Sequence, residues 1–161
     1  MFAPTPEFKG RLKFTWTRFF EETYKTTYGE DVLDTLPMVL WNKKDGSDSI
    51  YKYRYFDFVA EQFSKNFSKQ IGDWCDTNGI SFTGHYLREP ELSEQAITCG
   101  EVMRNYGKMG IPGIDMLCNH MEYTTAKQAQ SAAHQYGKEG VLSELYGVTN
   151  WDFDFRGQRA G

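Results

Sequence analysis

Apolar and aromatic residues at Leu12, Trp16, Phe19, Phe20 and Tyr24 recur at intervals of three and four, with one interval of one. That is the helical period, and it predicts a helix from about Leu12 to Tyr28, ended by Gly29. Val32 to Trp41 carries Pro37, which a central strand would not tolerate, so a broken helix or packed loop is expected there. Asn42 to Ser49 (NKKDGSDS) reads as a connection. Phe56, Val59, Phe63, Phe67, Ile71 and Trp74 then fall at spacings of 3, 4, 4, 4 and 3, one long amphipathic helix stopped by Asn78-Gly79. The clusters Trp16, Phe19, Phe20 and Phe56, Phe63, Phe67 are read as core.

Beyond Gly79 the pattern shifts to β-branched and aromatic runs separated by helical segments. ISFTGHYL from Ile80, IPGIDML (Ile111 to Leu117) and VLSELYG (Val141 to Gly147) are strand candidates. Pro90 and a Ser/Glu-rich turn open a helix that runs through Tyr106, with Gly107 and Gly110 closing it. A capping-box pattern at Thr125 and Gln128 opens another, ending near Tyr136-Gly137. Strand starts at 80, 111 and 141 are 31 and 30 residues apart, one βα unit each, so parallel neighbours joined by right-handed crossovers are expected. The order βαβαβ predicts α/β architecture. Three strands cannot close an eightfold barrel of about 250 residues. No Gly-rich phosphate turn supports a nucleotide-binding sheet. The expectation is therefore a partial (βα)8 barrel in one domain: irregular lead-in 1–10, helical part 11–79, βαβαβ part 80–155 and a short tail 156–161.

The 161 residues are 40% hydrophobic and 16% aromatic, which is enough for a packed core. Eighteen basic and 22 acidic residues give a net charge of −4, and no run of five like charges occurs, so neither nucleic acid nor an anionic membrane is an expected partner. No stretch approaches 18 consecutive apolar residues, and the opening MFAPTPEFKG lacks the pattern of a signal peptide. Cys75, Cys99 and Cys118 have no CxxC pairing and read as reduced structural thiols. The triad elbow GxSxG and the zinc motif HExxH are both missing, so neither a serine triad nor a metal is expected. No cofactor is expected either.

Active sites of α/β barrels form at the carboxyl ends of strands. Those ends supply His85, Tyr86, Arg88, Glu89 and Glu91; then Asp115, Cys118, Asn119 and His120; then Glu144, Tyr146, Asn150, Trp151, Asp152 and Asp154. Two carboxyl groups across a cleft can hydrolyse a glycosidic bond, one protonating the leaving oxygen and the other activating water or attacking the sugar. Glu89 and Glu144 are the expected pair, with either stereochemistry open. The acid of the two would need a pKa raised by burial or by its partner. Tyr86, Tyr146 and Trp151 are expected to face a sugar ring while His85, Arg88, Asp115 and Asp152 meet its hydroxyls. Against this, an exposed Glu89 opening a helix would simply complement the helix dipole. Glu144 lies among Val141, Leu142 and Leu145, where a carboxylate needs a partner or a purpose.

The segments GISFTGHYLREPELSEQ, IPGIDMLC and KQAQSAAHQYGKEGVLSELYGVTNWDFDF resemble the catalytic barrel of large bacterial glycoside hydrolases of the α-L-rhamnosidase type, similar to glycoside hydrolase family 106 and its relatives. The resemblance runs from about Trp16 to Phe155 and is strongest at the three strand ends. It implies removal of a terminal sugar by two glutamates, matched by Glu89 in TGHYLREPEL and Glu144 in LSELYG. Members are longer multidomain proteins, so the chain resembles an internal fragment whose partners are a carbohydrate and the remainder of a parent polypeptide. A bacterial parent, cytoplasmic or secreted, fits such a fragment. Uncovered sheet edges would favour self-association. The alternative is a non-catalytic carbohydrate-binding or inactive fragment.

Overall fold

The computed structural model describes residues 15–116, 122–145 and 147. The elements, in chain order, are α1 (Phe20–Tyr28), α2 (Val32–Leu40), α3 (Ser49–Phe63), a π-helix (Ser64–Lys69), α4 (Gln70–Thr77), α5 (Leu92–Thr98), α6 (Val102–Tyr106), β1 (Gly113–Met116), α7 (Thr124–Gln135) and β2 (Leu142–Leu145). Among the described residues the chain is mostly helical. Its sheet has two strands, β1 and β2, paired in parallel with Asp115 opposite Glu144.

The partial barrel is therefore not formed. The segment expected as the first strand contributes a single bridge residue, Thr83, and one ladder-like bond, from Ile111 N–H to the Phe82 carbonyl at 3.1 Å. Its later polar groups are engaged elsewhere. Tyr86 N–H donates to the Glu89 carboxyl, and the Leu87 carbonyl accepts from the Thr98 hydroxyl. A backbone whose donors and acceptors are taken up by side chains cannot extend a ladder. Gly113 and Gly84 still lie so close that a Cβ at Gly113 would sit 2.3 Å from the Gly84 carbonyl oxygen.

Residues 49–77 form one continuous helical rod, α3, the π-helix and α4, as the periodicity predicts, and the stop lies at Asn78-Gly79. Gly79 is left-handed (φ 68°), and the bonds Ile80 N–H to Cys75 C=O and Gly79 N–H to Asp76 C=O close a Schellman motif. The buried face differs from the expected one. Phe56 and Trp74 are exposed, at 41% and 55%, whereas Ala60, Ser64, Ser68, Gly72 and Cys75 are buried. Four residues overshoot one α-helical turn by about 40°, so a strict spacing of four drifts around the rod. The wider i→i+5 turn of the π-helix counters that drift and keeps Ala60, Ser64, Ser68 and Gly72 in one row.

Chain segment 100–108 lies along this row in the same direction. A Cβ on Gly100 would sit 2.8 Å from the Ala60 Cβ, the Ser68 hydroxyl donates to Asn105 Oδ1 at 2.9 Å, and a Cβ on Gly72 would sit 2.3 Å from the Lys108 carbonyl oxygen. Gly100 (φ 81°) also divides the single helix expected up to Tyr106 into α5 and α6.

Two apolar clusters form the core. Phe20, Tyr24, Val32, Tyr55, Phe58 and Val59 join α1, α2 and α3. Cys75, Phe82, Tyr86, Cys99, Val102, Tyr106, Met109, Ile114, Ala129 and Ala132 form the other, beneath the candidate site. In the first cluster the expected core pair Trp16 and Phe19 stays outside, 39% and 60% exposed. Pro37 is accommodated within α2, which is a helix throughout. Cys75 and Cys99 are free and buried, as expected of structural thiols; Cys118 lies outside the described residues.

Candidate functional site

The site is assembled around a turn. Residues 87–90 reverse the chain with Arg88 in the left-handed region (φ 62°), which is uncommon for a residue with a side chain. The turn folds the Glu89 carboxyl back onto its own approach: Oε1 accepts from Tyr86 N–H at 2.6 Å and from the Tyr106 hydroxyl of α6 at 2.7 Å. Glu89 is 1% exposed, and Oε2 is buried with no hydrogen-bond partner.

Burial pushes the Glu89 carboxyl up to about 8; the bonds from Tyr86 N–H and Tyr106 oppose the shift, and the charges of Asp115 and Glu122 add to it. At neutral pH Glu89 is therefore a protonated acid. Since Oε1 already receives two donors, the proton belongs on Oε2. Burial also raises the hydroxyls of Tyr86 and Tyr106 above the ordinary phenol range, and the Cys99 thiol to about 11.

The surrounding bonds hold Tyr86 from a third side. Its hydroxyl lies 2.8 Å from Ser68 Oγ in the π-helix, and Ser68 in turn donates to Asn105 Oδ1. The Glu89 carbonyl accepts from the side-chain amides of Gln95 in α5 and, at 3.0 Å, Gln128 in α7. Gln128 is thus engaged here instead of in the expected capping box. The α7 N-terminus is capped by the Glu122 carboxylate, which accepts from Thr125 N–H at 3.0 Å, while the Thr125 hydroxyl has no partner.

Next to the turn lies a second, more open group. In-register pairing of Asp115 with Glu144 places their side chains on one face of the sheet. His85 stands between them, Nδ1 3.5 Å from Asp115 Oδ2 and Nε2 3.9 Å from Glu144 Oε2. The side chains are 16%, 30% and 44% exposed for His85, Asp115 and Glu144, so solvent reaches the group mainly at Glu144.

Of the residues expected from sequence, His85, Asp115 and Glu144 come together, and Glu89 lies beside them through Tyr86 and the charge of Asp115. Two expectations are corrected. Tyr86 is not a platform at the rim; it is 2% exposed and part of the core, its ring edge-on to Phe63 and Tyr106. Glu144 is not buried among apolar neighbours, because β2 exposes Leu142 (40%) and Val141 precedes it at 37%. The desolvated carboxyl is Glu89, which neither stands in solvent nor caps α5. Arg88 points outward and pairs with Glu94 at 2.9 Å. Tyr146, Trp151 and Asp152 lie outside the described residues.

Tyr106, Gln95, Gln128, Ser68 and Asn105 were not visible as site residues in the sequence. The available signal was polarity at positions that helical spacing turns inward: Ser68 sits in the row of Ser64 and Gly72, and Gln128 is one residue from Ala129, which is fully buried.

Among the described residues no group of three or more His, Cys, Asp or Glu side chains could hold a metal ion, and no helix is long and apolar enough to cross a membrane. No protein-family model, curated protein or solved structure matches the chain.

Proposed function

We propose that the chain carries the acid and base of a glycoside hydrolase, cleaving a terminal glycosidic bond of the α-L-rhamnoside type. The observation that carries the reading is the buried Glu89 carboxyl, which holds its proton to about pH 8 beside a half-exposed carboxyl pair on the sheet. Glu89 is the general acid. Its Oε2 proton passes to the glycosidic oxygen as the bond from that oxygen to the anomeric carbon breaks. Glu144, the most exposed of the group, takes a proton from the attacking water or attacks the anomeric carbon itself. His85 and Asp115 meet sugar hydroxyls and align Glu144. The three strand-end segments that resemble the α-L-rhamnosidase group support the choice of substrate.

The test is release of aglycone from a panel of aryl glycosides, α-L-rhamnoside first. Glu144→Gln and Glu89→Gln should each lower kcat/KM by about 100-fold or more, and the wild-type rate should fall as pH rises through about 8, where Glu89 loses its proton. Turnover by Glu144→Gln or Glu89→Gln equal to wild type would overturn the assignment.

A second reading is favoured by the 1% exposure of Glu89: the acid is sealed in, and the chain binds a sugar without cleaving it. Calorimetry would then show sugar binding by wild type and Glu144→Gln alike, with no aglycone released. In either reading β2 is paired on one side only among the described residues, and we propose that this edge joins further chain, either the rest of a parent polypeptide or a second copy. Sedimentation against concentration reads the second copy directly.

A further inference from the structure

We infer that Gln95 and Gln128 are positioning residues for Glu89: their amides, brought from α5 and α7, converge on the Glu89 carbonyl and hold the turn that seats its carboxyl on Tyr86 N–H and the Tyr106 hydroxyl. The inference deepens the reading of Glu89 as the acid and takes its functional meaning from it.

The bonds form a closed set. The Glu89 carbonyl oxygen has two lone pairs, and each amide supplies one donor. The second Gln95 N–H donates to Gln128 Oε1 at 3.0 Å, and Gln95 Oε1 accepts from Val102 N–H at 3.4 Å. Turning the Gln128 amide over would set its oxygen against the Glu89 carbonyl and its NH2 against that of Gln95. The network therefore fixes the orientation of both amides. Each glutamine bonds the other, so the set locks as a unit.

The object that it holds is a strained one. Arg88 occupies the left-handed region immediately before the clamped carbonyl, a conformation disfavoured by contact between Cβ and backbone. A non-glycine residue keeps such a conformation when its surroundings over-determine it. Tyr106 and Tyr86 hold the carboxyl end of Glu89, and the two glutamines hold the carbonyl end. Without the glutamines the turn can relax, swinging the carboxyl off its two donors and toward solvent. The groups that act on that carboxyl are Tyr86 in the approach to the turn, Cys99 after α5, Tyr106 in α6, Asp115 in β1 and Glu122 before α7. The clamp leaves all of them in place, so a change on removing it reports the position of Glu89.

The experiment is a titration of the side-chain carboxyl carbons by NMR on the full chain labelled at glutamate, with Glu89 assigned by its loss in Glu89→Gln. In Gln128→Met, which keeps shape and removes both amide bonds, the Glu89 midpoint should fall by roughly one pH unit or more toward the ordinary carboxyl value. Adding Arg88→Gly, which relieves the strain, should recover at least about half of that shift. An unchanged midpoint in folded Gln128→Met, or no recovery in the double variant, overturns the inference. If Gln128→Met does not fold, the double variant decides. A folded protein with the wild-type midpoint supports the clamp, and an unfolded one rejects it. The titration needs no substrate, so the clamp can fail while Glu89 remains the acid, and Glu89 can prove inactive while the clamp stands.

Discussion

Replacing Glu89 with glutamine should flatten the dependence of stability on pH. The wild-type carboxyl moves from an ordinary value of 4.5 in the unfolded chain to about 8 in the folded one. Between those values the folded state holds a proton that the unfolded state has released, so stability falls as pH rises. The contribution is fully present below about 4.5 and is lost as pH passes through about 8. At about 1.36 kcal/mol for each unit the change reaches at most about 5 kcal/mol. A carboxyl ionised in the interior can draw in water or relax its turn, which reduces it. In Glu89→Gln the amide oxygen can accept the same bonds from Tyr86 N–H and Tyr106, and the NH2 falls where Oε2 already lacks a partner. The variant should thus lie within about 1–3 kcal/mol of wild type at pH 5 and be the more stable protein at pH 9. Urea denaturation followed by circular dichroism at pH steps from 5 to 9 measures both curves. With a slope of about 2 kcal/mol/M, the two midpoints should move relative to each other by up to about 2 M across that range. Subtracting the variant removes the titrations that both proteins share. Curves that stay parallel from pH 5 to pH 9 would refute the claim that Glu89 is a buried, proton-holding acid.

Two further outcomes follow from the packed row of small residues. In Gly72→Ala the added methyl meets the Lys108 carbonyl oxygen at 2.3 Å, a backbone atom that cannot swing aside; the clash should outweigh the helix-propensity gain of about 1 kcal/mol and lower stability by about 1–3 kcal/mol, read as a fall in Tm. In Ser68→Ala the Tyr86 hydroxyl and Asn105 Oδ1 both lose a buried partner, costing about 1–3 kcal/mol, and Tyr86→Phe added to it should cost less than it does in wild type.

The helices were legible where local chemistry decides them. The rod from Ser49 to Thr77, its end at Gly79, the end of α1 at Gly29 and the end of α7 at Gly137 all follow from periodicity and left-handed glycines. The parallel pairing of β1 and β2 was legible too, from the spacing of their segments. The third strand was not, because Tyr86 and Leu87 have strand-forming side chains but give their backbone groups to Glu89 and Thr98. Nor was the buried face of the rod. Hydropathy points to the large residues Phe56 and Trp74, whereas the closest packing uses Ser64, Ser68 and Gly72, whose value is small size. At the site, the sequence identifies His85, Glu89, Asp115 and Glu144 as chemistry-bearing side chains. Which glutamate keeps its proton depends on contacts from Tyr106, Gln95 and Gln128, as many as 39 residues away in the chain, and no local pattern encodes them.

The π-helix has a consequence for how this gene can vary. Its wide turn is equivalent to one inserted residue, so loss of a single codon between 64 and 69 would convert the rod to uniform α-helix and rotate everything after it by about 100°. Cys75 would swing outward, and Gly72 would no longer face Lys108. Substitutions in this stretch that preserve side-chain size should be tolerated, whereas a one-residue deletion should not, although the peptide removed could be as plain as Lys65 or Asn66 on the solvent side.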